Sequence, residues 1–66
     1  MSFKINGTEA EVSQGLTVGG LLKERNVDPQ SVVVVFNAKS LPRTAYDETN
    51  IENGDNVEVL HFVGGG

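Results

Sequence analysis

Cysteine is absent from this chain, which removes disulfides, cysteine-ligated zinc and catalysis by a side-chain thiol. The absence also fits a reducing compartment. Bases are scarce: five Lys and Arg stand against nine Asp and Glu, for a net charge of −4. Nucleic-acid binding depends on neutralising phosphates, so a scattered and outnumbered set of bases argues against it. The acids sit singly along the chain, as on a solvated surface, and their mild field can steer the domain towards a basic partner. With one histidine and no carboxylate cluster at ligand spacing, no metal site is expected. Long apolar runs are missing too. Nothing approaches a membrane span, and "MSFKING" has no apolar signal core, so a soluble cytoplasmic protein is the expectation.

Catalytic patterns are equally thin. Ser13, Ser31 and Ser40 sit in no motif that activates a nucleophile. Asp47 and Glu48 read as solvated loop acids, and Gly19-Gly20 lacks the Lys-Ser or Lys-Thr pair of a phosphate loop. At 66 residues the chain makes one domain at most. A chain of this size buries about 60% of its unfolded surface, a thin core with no room for a two-lobed cleft. A non-enzyme is expected.

What remains is well patterned. Phe3 and Ile5 alternate with Lys4, and Ala10 and Val12 alternate with Glu9 and Glu11. Asn6-Gly7 between them tolerates the positive φ of a two-residue turn, so the chain opens with a β-hairpin. Thr17 can cap a helix in which Val18, Leu21 and Leu22 share a face. Gly19 and Gly20 each cost such a helix about 1 kcal/mol relative to alanine. The helix should stop near Asn26, before Asp28-Pro29.

"SVVVVF" at 31–36 does not alternate, so both faces of that strand want cover. One face can meet the helix, leaving the other as ordinary core or as an open apolar strip. "NAKSLPRTAYDETN" turns, offers a short strand at Lys39–Leu41, and runs irregularly past Pro42. After the turn signal Asn53-Gly54-Asp55, the final strand "NVEVLHFV" begins. If Glu58 faces water, Leu60 and Phe62 share its wet face while Val57 and Val59 face the helix. The expected fold is an α+β roll, ββαββ, with a mixed sheet on one helix. Its body is 1–63, with a flexible glycine tail at 64–66.

Gly64, Gly65 and Gly66 carry no Cβ, so they can lie extended in a narrow channel and let backbone approach a nucleotide. Extended, they reach roughly 10 Å. Their one reactive group is the Gly66 carboxylate, inert to nucleophiles until an oxygen becomes a leaving group, for which acyl-adenylate formation with ATP is the usual cellular route. A frayed or cloning-derived terminus is the bland alternative.

Three segments carry a resemblance: "TVGGLLKE", "NAKSLPRTAY" and "IENGDNVEVLHFVGGG". With Asn37, Pro42-Arg43-x2-Tyr46 and Gly54-Asp55 in register with a Gly-Gly end, essentially the whole chain resembles the ThiS family of sulfur carrier proteins, whose fold is a ubiquitin-like β-grasp. Gly19, Gly20 and the third terminal glycine, Gly64, depart from the commonest pattern. The resemblance implies that an E1-like adenylyltransferase of the ThiF type activates Gly66 with ATP. Sulfur from a persulfide enzyme then gives a thiocarboxylate, which a thiazole synthase of the ThiG type consumes in making the thiamine thiazole. Gly64 and Gly65 would thread the partner's channel, and Glu58, Leu60 and Phe62 would form the docking surface. The carrier itself would bind no cofactor or metal. Sulfur donation to molybdopterin, cysteine, homocysteine or a secondary metabolite stands as an alternative, as do a protein modifier and a plain interaction domain.

Overall fold

The computed structural model describes residues 1–62. Residues 63–66, and with them the tail and its boundary at Val63, lie outside the described residues. The elements are β1 (Ser2–Ile5), β2 (Thr8–Glu11), α1 (Val18–Glu24), β3 (Val32–Phe36), β4 (Lys39–Leu41) and β5 (Asn56–His61), with 3₁₀ turns at Pro29–Ser31 and Arg43–Glu48. The short β4 is a full member of the sheet, so the order is ββαβββ. The five strands run β2-β1-β5-β3-β4.

The hairpin forms where the alternation places it. Asn6 and Gly7 take φ of 50° and 82°, the left-handed pair that matches strand twist in a two-residue turn. A second such turn joins β3 to β4 through Asn37 and Ala38, at φ of 50° and 70°. Sheet order puts β5 at the centre. It pairs antiparallel with β3 and parallel with β1, which makes the sheet mixed.

Thr17 caps α1: its Oγ1 accepts from the Gly20 N–H at 3.0 Å, satisfying one of the orphan donors of the first turn. The helix is seven residues long, and Asn26 ends it at φ 57°, as a left-handed stop. Its buried side chains are Val18, Leu21 and Leu22. They meet Phe3, Ile5, Val32, Val34, Val57 and Val59 in the core, with Ala10, Val12, Val27, Phe36 and Leu41 packed at its margin.

The stretch past Pro42 is ordered, where the sequence pattern gives only an irregular run. Arg43–Glu48 winds into a 3₁₀ turn that buries Tyr46, and Leu16, Tyr46 and Ile51 join the core. Gly19 faces that turn. A Cβ there would collide with Asp47 Oδ1 and lie 3.1 Å from its Cγ. The glycine weakens the helix, and the Asp47 carboxylate occupies the space its missing side chain leaves.

Candidate functional site

The open face of the sheet is set by strand parity. In the β3–β5 pairing Val32 faces His61, Val33 faces Leu60, Val34 faces Val59 and Val35 faces Glu58. Cross-strand partners point to the same side of a sheet. Val34 and Val59, both buried, point to the helix. Val33, Val35, Glu58 and Leu60 therefore share the opposite side, together with Ser40, which pairs with Val35. Phe62 has the same parity. Its N–H donates to the Ser31 carbonyl at 3.1 Å, continuing the β3 ladder one step past His61.

Leu60 is 52% and Phe62 60% exposed, the two most exposed large apolar side chains after Met1 among the described residues. Beside the half-buried Val33 and Val35 they form an apolar strip at the end of β5 that precedes residues 63–66, and Glu58 borders it. Strand VVVVF thus divides as its composition allows: Val32 and Val34 in the core, Val33 and Val35 on the open side. Sequence reasoning singled out Leu60 and Phe62 but not Val33 and Val35 individually. Only the pairing register places these two valines beside the leucine. Gly64, Gly65 and Gly66 lie outside the described residues.

Other sequence landmarks hold the scaffold. Arg43 Nε donates to the Pro29 carbonyl at 2.9 Å, clamping the 3₁₀ turn that presents the Ser31 carbonyl to Phe62. At the opposite end of the sheet Asn37 does two things. Its Nδ2 donates to Asp55 Oδ1 at 3.0 Å, and its Oδ1 accepts from the Asn56 N–H at 2.8 Å. Asp55 Oδ2 in turn accepts from the Glu52 N–H at 2.7 Å, and Gly54 takes φ 88°. Asn37, Gly54 and Asp55 therefore build the turn that starts β5, one strand length from where it finishes. Their pattern is a pattern of folding.

No polar or charged side chain is buried among the described residues, so none has the desolvated setting that tunes catalytic groups. No group of three or more His, Asp or Glu side chains is placed to hold a metal among them. No helix among them is long and apolar enough to cross a membrane. His61 is exposed, at the margin of the helix side. Asp47 is exposed too, its carboxylate lying where a Cβ on Gly19 would go. What the described residues do present is an exposed apolar strip, Leu60 and Phe62 beside Val33 and Val35, at the end of β5.

Known proteins agree with this architecture. A family model described as "ThiS family" matches residues 3–66. The crystal structure of the thiamine biosynthesis protein ThiS from Geobacter metallireducens superposes with a TM-score of 0.83 at 38% identity, each chain covering 100% of the other. Among curated relatives, a thiazole synthase of Paramagnetospirillum magneticum is 38% identical over all 66 residues, and one of Magnetococcus marinus is 33% identical. The chain spans only 20% of the length of each of these enzymes. An uncharacterized protein ycf40 of Porphyra purpurea is 30% identical, with 93% of its length covered. The β-grasp expected from the sequence is the fold observed. Matched from its third residue to its last, and sharing both sheet and helix with a solved relative, the chain belongs to the ThiS family.

Proposed function

We propose that this chain is a sulfur carrier in thiamine biosynthesis, a co-substrate of other enzymes and not itself a catalyst. The Gly66 carboxylate attacks the α-phosphorus of ATP on an E1-like, ThiF-type adenylyltransferase, and pyrophosphate leaves. The terminal sulfur of a persulfide then attacks the acyl carbon and expels AMP. A further thiol opens the resulting acyl disulfide, keeping the donor's sulfur as a disulfide and leaving a thiocarboxylate at Gly66. That group is ionised at neutral pH and nucleophilic, and it delivers its sulfur to a thiazole synthase of the ThiG type.

The chain contributes position to these steps. Gly64 and Gly65 carry no side chain that would widen a partner's channel. Leu60 and Phe62 anchor the partner and Glu58 adds a polar edge. A chain without cysteine has no thiol of its own to compete for the persulfide. ATP belongs to the activating enzyme, and the carrier holds no resident cofactor. The cytoplasm is the proposed location.

The observation that carries this function is that a segment 38% identical to the entire chain makes up a fifth of a thiazole synthase. A carrier segment within the acceptor enzyme is what a shared pathway predicts. The test is ATP–pyrophosphate exchange by a ThiF-type enzyme. Exchange should require the chain and vanish on deletion of Gly65 and Gly66. Exchange that survives the deletion shows that activation does not need Gly66, and overturns its assignment as the activated residue.

A further inference from the structure

Resting on the carrier function proposed above, we infer that Asn6 is a positioning residue for the working end of the chain. Its side-chain oxygen holds the last part of β5 in place, and so fixes Leu60–Phe62, from which residues 63–66 continue.

Within the parallel ladder a side-chain oxygen takes the place of a backbone carbonyl. Lys4 and Asn56 are partners across β1 and β5, and the Lys4 N–H donates to the Asp55 carbonyl at 2.9 Å. Two residues on, the Asn6 N–H donates to the Val57 carbonyl at 2.9 Å. A parallel ladder continued at this spacing sends the Val59 N–H to the carbonyl of residue 6. At Asn6, however, the chain enters the hairpin at φ 50° and β1 has ended. The Val59 N–H goes instead to Asn6 Oδ1, at 2.8 Å. The carboxamide stands in for the backbone carbonyl and extends the pairing by one step after the strand has turned away.

The position of that step matters. Beyond Val59, β5 runs on through Leu60 and His61 with β3 at its other side, where the last bond among the described residues is Phe62 N–H to the Ser31 carbonyl. Asn6 and Ser31 thus grip the end of β5 from opposite sides, immediately before and at the two exposed apolar side chains. A fixed end spares a docking partner the entropy of ordering it. This also explains the residue type. Glycine would satisfy the turn at position 6 as well as asparagine does, but it has no oxygen to offer Val59.

Three chains decide the matter: the wild type, Asn6→Gly, which keeps the turn conformation and removes the acceptor, and Asn6→Asp, which keeps both. Amide hydrogen exchange reads the strand, and adenylation by a ThiF-type enzyme with ATP reads the end it presents, both well below the melting temperature. In Asn6→Gly the Val59 amide should exchange about fivefold faster relative to core amides such as Val34, the worth of one hydrogen bond. The KM for the carrier should rise by about the same factor with kcat unchanged, because preorganisation is lost and the chemistry is not. Asn6→Asp should restore both. Unchanged Val59 exchange in Asn6→Gly, an unchanged KM despite faster exchange, or an Asn6→Asp chain that behaves like Asn6→Gly overturns the inference. A wild-type chain that the enzyme never adenylates overturns the carrier function instead, and Val59 exchange then decides on its own whether Asn6 holds the strand.

Discussion

Replacing Leu60 by glutamate separates a docking surface from a core, and its two costs derive from where the side chain sits. Leu60 is 52% exposed, so folding buries about half of it. Full burial of a leucine contributes about 1.5–3 kcal/mol; losing half should cost about 1 kcal/mol. A domain of this size is stable by roughly 3–10 kcal/mol, so Leu60→Glu should stay folded with a lowered denaturation midpoint. At an interface the same change sets a charge on an apolar contact. An anchor residue at the centre of an interface contributes about 2 kcal/mol or more, which is roughly 30-fold or more in affinity. Phe62→Glu, at 60% exposure, should behave alike. Val57→Ala serves as the control: Val57 is fully buried and faces the helix, so its truncation should cost about 2 kcal/mol or more of stability and leave affinity intact wherever the chain is folded. Equilibrium urea unfolding measures the first cost, and calorimetric titration against a ThiF-type enzyme measures the second. Leu60→Glu and Phe62→Glu chains that unfold, or that bind the partner as the wild type does, would refute the assignment of this face.

Gly19→Ala should stabilise an Asp47→Ala background by about 1 kcal/mol, the helix-propensity gain, and stabilise the native background by less than half as much, since Asp47 must rotate away. Equal gains in the two unfolding experiments would mean that the contact constrains nothing. Asn37→Ala removes a turn residue suited to positive φ and two side-chain hydrogen bonds, so it should cost about 2–3 kcal/mol. Asn37→Gly keeps the turn and should cost less; if glycine is the worse of the two in thermal unfolding, the backbone conformation is not what asparagine supplies there.

How much of this was legible depended on whether the cause was local. The opening hairpin is dictated by two alternating runs around Asn6-Gly7. The helix start is dictated by Thr17 ahead of an apolar face, and the facing of Leu60 and Phe62 by the charge on Glu58. Those signals lie within a few residues of what they determine. The parallel pairing of β1 with β5 joins residues some fifty positions apart, and nothing local announces it. Tyr46 lies in a 3₁₀ turn too short to show a period, which is why the run past Pro42 reads as irregular. Ala38 at positive φ carries no turn signal in its identity. Gly19 looks like a weak point in a helix until Asp47 is placed against it. The strip beside Leu60 shows the same divide: the sequence announces five apolar residues in a row, and only the register with β5 selects Val33 and Val35 as its neighbours.

The central claim is that sulfur rides on the terminal acyl group, and fragmentation mass spectrometry of the loaded chain tests it most directly. After incubation with ATP, the activating enzyme and a persulfide donor, the chain should gain the mass of one oxygen-for-sulfur exchange. Fragmentation should confine that gain to Gly66. A chain that the enzyme has demonstrably bound but whose mass is unchanged, or a gain carried by any residue other than Gly66, would contradict it.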